Sequence, residues 1–273
     1  MRILCCVNRD LASNYALNLL LPDLVRRGHS IRIVISERVG RPGANAIQAF
    51  RAVEQSIPNE LIFPLVERCL QPRNRSLTFT EMSVYCDSTH PLSLDLNSEA
   101  GVALLNDFAP DLVVTIRYGH ILRDQVIGSA KHGVINLHSG LLPEYRGILS
   151  TLQAMIHGET DIGCTLHWIV DAKIDTGPII ATARRPVERG RSLLWHILSL
   201  YPLGVPLIAE TVRRLTSGER VPRQAQSGGT YYSTPTAADV DALAARGVEL
   251  FDADDLRDLI ARYVPSPSAS AGS

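Results

Sequence analysis

The chain has 273 residues, with 27 Lys and Arg set against 28 Asp and Glu for a formal net charge of −1. So even a balance excludes binding that depends on a broad basic face, and neither a nucleic acid nor a membrane is expected as a partner. The length suits one larger domain, or one domain with an appendage, and either can bury a sizeable core.

Five cysteines, Cys5, Cys6, Cys69, Cys86 and Cys164, are odd in number and scattered through apolar runs without metal-ligand spacing. They read as buried thiols of a reducing compartment, with no metal site. The chain opens directly on a strand with no leader pattern, and no apolar run reaches about 18 residues. A cytoplasmic protein is expected.

In chain order, strand and helix alternate. Residues 3–7 form a fully apolar strand, 11–27 a helix closed by Gly28, and 30–36 a second strand, which is the βαβ opening of a parallel sheet. Pro22 is expected to kink or reset the helix. The turn over residues 8–14 contains no glycine, which disfavours a dinucleotide site. Asp10 or Ser13 is expected to cap the helix, and Ser13 and Asn14 remain candidates for meeting an anion at its start.

From residue 40 to about 96 the pattern weakens. Residues 44–56 and 61–69 read as helices and 84–86 as a strand, together an insertion with no assigned chemistry. Order returns with a helix opened by Ser98, a strand over 111–116, and a short helix reaching Ile127.

The most informative stretch follows. Val134, Ile135 and Leu137 are β-formers, so Asn136 and His138, two apart, share one face of a short strand. Ser139 and Gly140 end it, and Pro143 and Gly147 punctuate the loop beyond. Both polar side chains therefore sit near a strand's carboxyl end, where open α/β sheets keep their ligands. Residues 164–170 read as a further strand and 171–178 as a polar turn holding Asp175.

Beyond it, 179–187 is an outer strand and 192–215 a long helix interrupted at Pro202 and Pro206. Residues 224–236 are turn-rich and hold Tyr231 and Tyr232, expected to pack, with stacking on a base or a partner subunit as the alternative. One or two short acidic helices span 237–263, and 265–273 is a loose tail. The organisation expected is a body over 1–217, an extension over 218–264 and the tail.

Asn136-x-His138, Leu141-Leu-Pro143, Arg146-Gly147, Gly158-Glu-Thr before Gly163-Cys-Thr165, and Ile174-Asp-Thr-Gly177 together resemble the formyltetrahydrofolate-dependent formyltransferases. That family acts on glycinamide ribonucleotide, methionyl-tRNA or nucleotide-linked amino sugars. The likeness is good over residues 112–187 and loose over the first strand and helix. One departure is Gly140, where the family usually has Ser; it is expected to alter loop support without removing a reacting group.

The resemblance implies an α/β fold, a Rossmann-like and mostly parallel sheet with helices on both faces. It implies N10-formyltetrahydrofolate as co-substrate, a small-molecule amine as acceptor, and no metal; it also admits a homodimer. It makes Asn136, His138 and Asp175 catalytic. Tyr118, Gly119, His120, Ile121 and Leu122, with Val170 and Asp171, become the folate-binding segments. Taken singly, Asn136 reads as a loop tether, His138 as a core histidine and Asp175 as a turn cap; the family spacing of all three overrides those readings.

The Asn136 amide and a protonated His138 are then expected to stabilise the oxyanion formed when an amine attacks the formyl carbon. Asp175 is expected to favour the charged imidazole and to collect the amine's proton. Arg117, Tyr145 and Arg146 either hold an anionic substrate group or pair at the pocket rim. His120, His157, His167 and His196 read as structural side chains. The acceptor favoured is an amino sugar on a nucleotide, with glycinamide ribonucleotide or an ornithine-type amine as alternatives, and a silent folate-binding relative as the reading from another class.

Overall fold

The computed structural model describes residues 1–37, 43–71, 75–87 and 92–264. The expected tail at 265–273 lies outside the described residues.

The opening unit forms as its pattern dictates. Strand β1 (Arg2–Asn8) leads into helix α1 (Leu11–Arg26) and strand β2 (Ser30–Ser36). Asp10 caps α1, its Oδ1 accepting from the Ser13 N–H at 2.8 Å, which satisfies one of the free donors of the first turn. The helix runs through Pro22 to Arg26. Next come α2 (Asn45–Arg51) and α3 (Phe63–Cys69), joined by a π-helical stretch over Ala52–Ile62.

The strand expected at 84–86 is instead part of a 3₁₀ helix, Glu81–Tyr85. Arg75 clamps the Glu81 carboxylate with two hydrogen bonds of 2.5 and 2.7 Å, and that carboxylate also accepts from the Thr78 N–H. These local contacts draw the chain into tight turns and override the β-propensity of Val84 and Tyr85.

The two-residue strand β3 (Leu92–Ser93) is followed by α4 (Glu99–Phe108), β4 (Leu112–Ile116), α5 (Asp124–Ile127) and β5 (Val134–His138). Then come β6 (Tyr145–Gly147), α6 (Ser150–Ile156), β7 (Asp161–Ile169) and β8 (Ile179–Pro186). The remaining elements are α7 (Leu193–Ser199), α8 (Tyr201–Ser217), β9 (Thr230–Tyr232), α9 (Ala237–Ala245) and α10 (Ala253–Tyr263).

The expected long helix over 192–215 therefore breaks once, at Leu200, and Pro206 lies inside α8. The two helices together, Leu193–Ser217, are long and apolar enough to cross a membrane by composition alone. Leu193, Leu194, Ile197, Tyr201, Val205 and Ile208 are nevertheless buried in the main core.

Among the described residues, seven strands make one sheet in the order β3-β2-β1-β4-β5-β7-β8. Pairing is parallel from β3 to β5 and antiparallel across β5–β7 and β7–β8. β1 shows why its run is wholly apolar. Ile3, Cys5 and Val7 face a core shared with α1, α7 and α8, while Leu4 and Cys6 face a second core under α4 and α5. Burial on both faces requires an unbroken hydrophobic strand.

The chain leaves β1 toward β2 on one side and reaches β4 on the other. The resulting switch point opens at the carboxyl ends of β1, β4 and β5. The last helix closes back on this body: Tyr263 is fully buried, its ring 4.9 Å from Phe63 and its hydroxyl donating to Asn14 Oδ1 at 2.6 Å.

Candidate active site

β5 delivers Asn136 and His138 to one face, and the turn after β7 folds back to bring Asp175 against both. Asp175 Oδ2 lies 3.5 Å from His138 Nδ1, and Oδ1 lies 3.4 Å from Asn136 Nδ2. Asp175 adopts a left-handed backbone, φ 55°, a conformation that Asp tolerates better than most residues and that often marks functional sites.

His138 is 7 % exposed. Its Nε2 lies 2.7 Å from the Tyr145 carbonyl oxygen and must donate to it. With the Asp175 carboxylate facing Nδ1, both ring nitrogens meet oxygen acceptors, which suits the charged imidazolium. The Nδ1 contact is long for a hydrogen bond.

Asp175 accepts a further bond from the Gly147 N–H at 2.9 Å and lies 3.3 Å from His167 Nε2. Burial by itself raises a carboxyl pKa. Here the His138 charge, the contact with His167 and the Gly147 amide reverse that effect and hold Asp175 well below the usual carboxylate range. Asp175 stays ionised.

His167 was expected to be structural, yet it stands beside the trio. It pairs in register with Asn136 across the antiparallel β5–β7 ladder. Its Nδ1 lies 3.0 Å from the Trp168 carbonyl oxygen, and its Nε2 lies 3.0 Å from Asn136 Nδ2 and 3.3 Å from Asp175 Oδ1. Asn136 Oδ1 accepts from Thr115 Oγ1 at 2.8 Å. These bonds fix the amide with its NH2 group toward Asp175. The matched Gly163-Cys-Thr165 run, two residues before His167, was the sequence signal that could have flagged it.

The departure at Gly140 has a local counterpart. A Cβ at this position would stand 2.6 Å from both His138 Nε2 and Ser150 Cβ. The Ser150 hydroxyl of α6 occupies that neighbourhood, 3.1 Å from Nε2. Gly147 is required as well: its φ is 98°, and a Cβ would meet the Tyr232 carbonyl at 2.1 Å.

The other expected residues are placed as follows. Tyr118 donates to the Leu94 carbonyl, Gly119 N–H donates to Ser36 Oγ, and His120 Nδ1 lies 3.5 Å from Asp95 Oδ2. Ile121 is exposed and Leu122 buried. This segment leaves the carboxyl end of β4, whereas Val170 and Asp171 follow Ile169, which pairs with Val134 at the amino end of β5. Val170 is exposed, and Asp171 accepts from the Lys173 N–H.

Tyr145 turns its hydroxyl away from the trio to Glu159 at 2.8 Å; its backbone carbonyl is what meets His138. Arg146 donates to the Gly229 carbonyl. Ser13 and Asn14 are fully buried. Arg117, left-handed at φ 56°, donates from Nε to Asp10 and from Nη2 to Glu54, each at 2.9 Å. The insertion over residues 40–96 thus supplies a carboxylate, Glu54, to the switch point. Arg117 already faces two carboxylates there, which leaves it little attraction for an anionic ligand.

An amide, an imidazole and a carboxylate thus meet at the carboxyl end of β5 in an α/β sheet. The formyl transferase family model matches residues 29–193, and the chain belongs to that family. It is similar to methionyl-tRNA formyltransferase of Halalkalibacterium halodurans, 36% identical over 128 residues covering 45% of this chain and 39% of that protein. It is also similar to the Limosilactobacillus fermentum protein of the same name, 29% identical over 163 residues covering 59% and 49%. The match thus spans about two fifths to one half of the length of these curated relatives. In fold it is similar to a sugar N-formyltransferase from a Shewanella species, TM-score 0.57 at 18% identity, covering 89% of this chain and 79% of that one. It is likewise similar to glycinamide ribonucleotide transformylase 1 from Symbiobacterium toebii, TM-score 0.54 at 21% identity, covering 83% and 93%.

Proposed function

We propose that this protein moves the formyl group of N10-formyltetrahydrofolate to a primary amine of a small molecule, a nucleotide-linked amino sugar being the favoured acceptor. The observation that carries the reading is the convergence of Asn136, His138 and Asp175 from two separate strand ends.

The unprotonated amine attacks the formyl carbon, a C–N bond forms, and the carbonyl electrons move onto oxygen. Asn136 turns an N–H to that oxyanion, and His138 donates its Nδ1–H to it. Removing one preorganised donor of this kind typically costs about 3 to 4 kcal/mol of transition-state stabilisation. Asp175 keeps the imidazolium in place. Held below the usual carboxylate range, it is a weak base, so the amine's proton leaves by water beside it rather than coming to rest on the carboxylate. Collapse breaks the bond to N10 of the folate, and that nitrogen takes up a proton.

A small acceptor is supported by the charge of the carboxyl-terminal quarter. Residues 201–273 hold seven Arg, no Lys and nine acidic residues, and Arg213 and Arg214 are paired with Glu210 and Glu219. A sugar is supported by the half-exposed ring of Tyr231, which lies against Gly147, one hydrogen bond from Asp175. The names of the fold neighbours include sugar N-formyltransferases.

The test is release of tetrahydrofolate from 10-formyltetrahydrofolate in the presence of a panel of nucleotide-linked amino sugars, glycinamide ribonucleotide, ornithine and methionyl-tRNA. Turnover with an amino sugar alone supports the full reading. Turnover with another amine moves the acceptor, and folate binding without any turnover overturns the proposal in favour of a binding protein.

A further inference from the structure

Between α8 and β9 the chain crosses the site as an exposed strap that touches both catalytic loops. Trp168 Nε1 donates to the Pro222 carbonyl at 3.0 Å, and Gln224 exchanges two backbone bonds with Ile179, of 2.8 and 2.9 Å. At the far end Thr230 N–H donates to the Glu144 carbonyl, and β9 pairs with β6. From residue 222 to 230 every residue is exposed except Gln226. Its side chain points inward, and Nε2 donates to the carbonyls of Asp175 at 3.1 Å and Gly177 at 2.5 Å.

Two features make this contact more than a tether. Asp175 is in the left-handed region, a conformation that costs free energy and persists only where its surroundings impose it. The Gln226 amide has one possible orientation, because turning it over would set its oxygen against two carbonyl oxygens. In the observed orientation Oε1 is buried without a partner among the described residues. An acceptor has therefore been left unsatisfied in order to place the donor, an arrangement that costs stability.

We propose that Gln226 is a positioning residue for Asp175: by binding both carbonyls of the turn it fixes where the carboxylate stands relative to His138. The proposal rests on the formyl-transfer reading for its kinetic consequence but not for its geometric one. Misplacement of a reacting group by about 1 Å can cost about 10²-fold in rate.

Gln226→Glu keeps the shape and exchanges the donating NH2 group for an oxygen facing two carbonyls. Its kcat is expected to fall about 10²-fold with KM for the folate changed less than about twofold, and the ratio of variant to parent kcat is expected to rise as pH falls and the new carboxyl regains a proton. Gln224→Ala, which keeps the backbone bonds of the same strap, is expected to match the parent. Independently of turnover, ¹³C NMR titration of the Asp175 carboxyl in Gln226→Ala is expected to show its pKa raised toward the ordinary carboxylate range. Parent-like kcat in both Gln226 variants, a kcat ratio that stays flat with pH, or an unmoved Asp175 titration in a folded Gln226→Ala protein would each overturn the proposal. If the parent turns over no amine, the formyl-transfer reading fails, and the Asp175 titration alone decides the role of Gln226.

Discussion

Asn136 and His167 face each other across the antiparallel β5–β7 pair, with Asn136 Nδ2 3.0 Å from His167 Nε2. The same Nε2 lies 3.3 Å from Asp175 Oδ1, so the His167 ring, anchored by Nδ1 at the Trp168 carbonyl, touches both the amide and the carboxylate. His167→Ala is therefore expected to lower kcat about 10- to 10²-fold with little change in KM for the folate, measured by steady-state release of tetrahydrofolate. Unchanged kcat in a folded variant would return His167 to a packing role.

His138→Ala removes the donor whose Nδ1 faces Asp175. The expected loss is about 10² to 10³-fold in kcat, with a circular dichroism spectrum like the parent's. A rate within a fewfold of the parent would remove His138 from the chemistry.

Asp175 is held well below the usual carboxylate range: burial opposes this, but His138, His167 and the Gly147 amide outweigh it. In the unfolded chain an Asp titrates near 3.9. The folded state therefore binds fewer protons than the unfolded state below about pH 4. Its stabilisation is present above that pH and is lost as the pH falls toward the folded pKa. Urea unfolding across the acid range is expected to show a shallower fall in stability for Asp175→Asn than for the parent.

Glu54 behaves in the opposite sense. Burial, reinforced by the nearby Asp10 and only partly offset by Arg117, pushes its carboxyl up to about 7 from the ordinary 4.5. The folded state holds a proton that the unfolded state has lost between those values, so stability falls as pH rises through that window. Thermal unfolding of the parent is expected to show Tm dropping from pH 5 to pH 7.5. Glu54→Gln is expected to lose that slope.

Gly140→Ser adds a Cβ 2.6 Å from His138 Nε2 and from Ser150 Cβ and 2.8 Å from the Tyr145 carbonyl oxygen. Overpacking of this kind costs about 1 to 3 kcal/mol. Gly140→Ser combined with Ser150→Gly, which vacates the space and returns the hydroxyl to the loop, is expected to recover part of both stability and activity. A double-mutant cycle with no coupling would show that the two positions do not share one space.

Much of this was legible in the residues themselves. The apolar run of β1, the Asp10 and Ser98 caps, the closing Gly28 and the alternation around Asn136 and His138 are local signals, set by burial period and by unsatisfied helix donors. They determined the sheet, its first helix and the face on which two polar side chains emerge. What only the tertiary structure decided depends on partners far away in sequence. Glu54 reaches Arg117 from 63 residues earlier, and Gln226 reaches Asp175 from 51 residues later. His167 joins the site because β7 runs antiparallel to β5, a choice that no local pattern in either strand specifies. Side-chain periodicity fixes which face a residue takes, whereas the neighbour across that face depends on strand order, and strand order depends on how the whole chain buries its apolar surface.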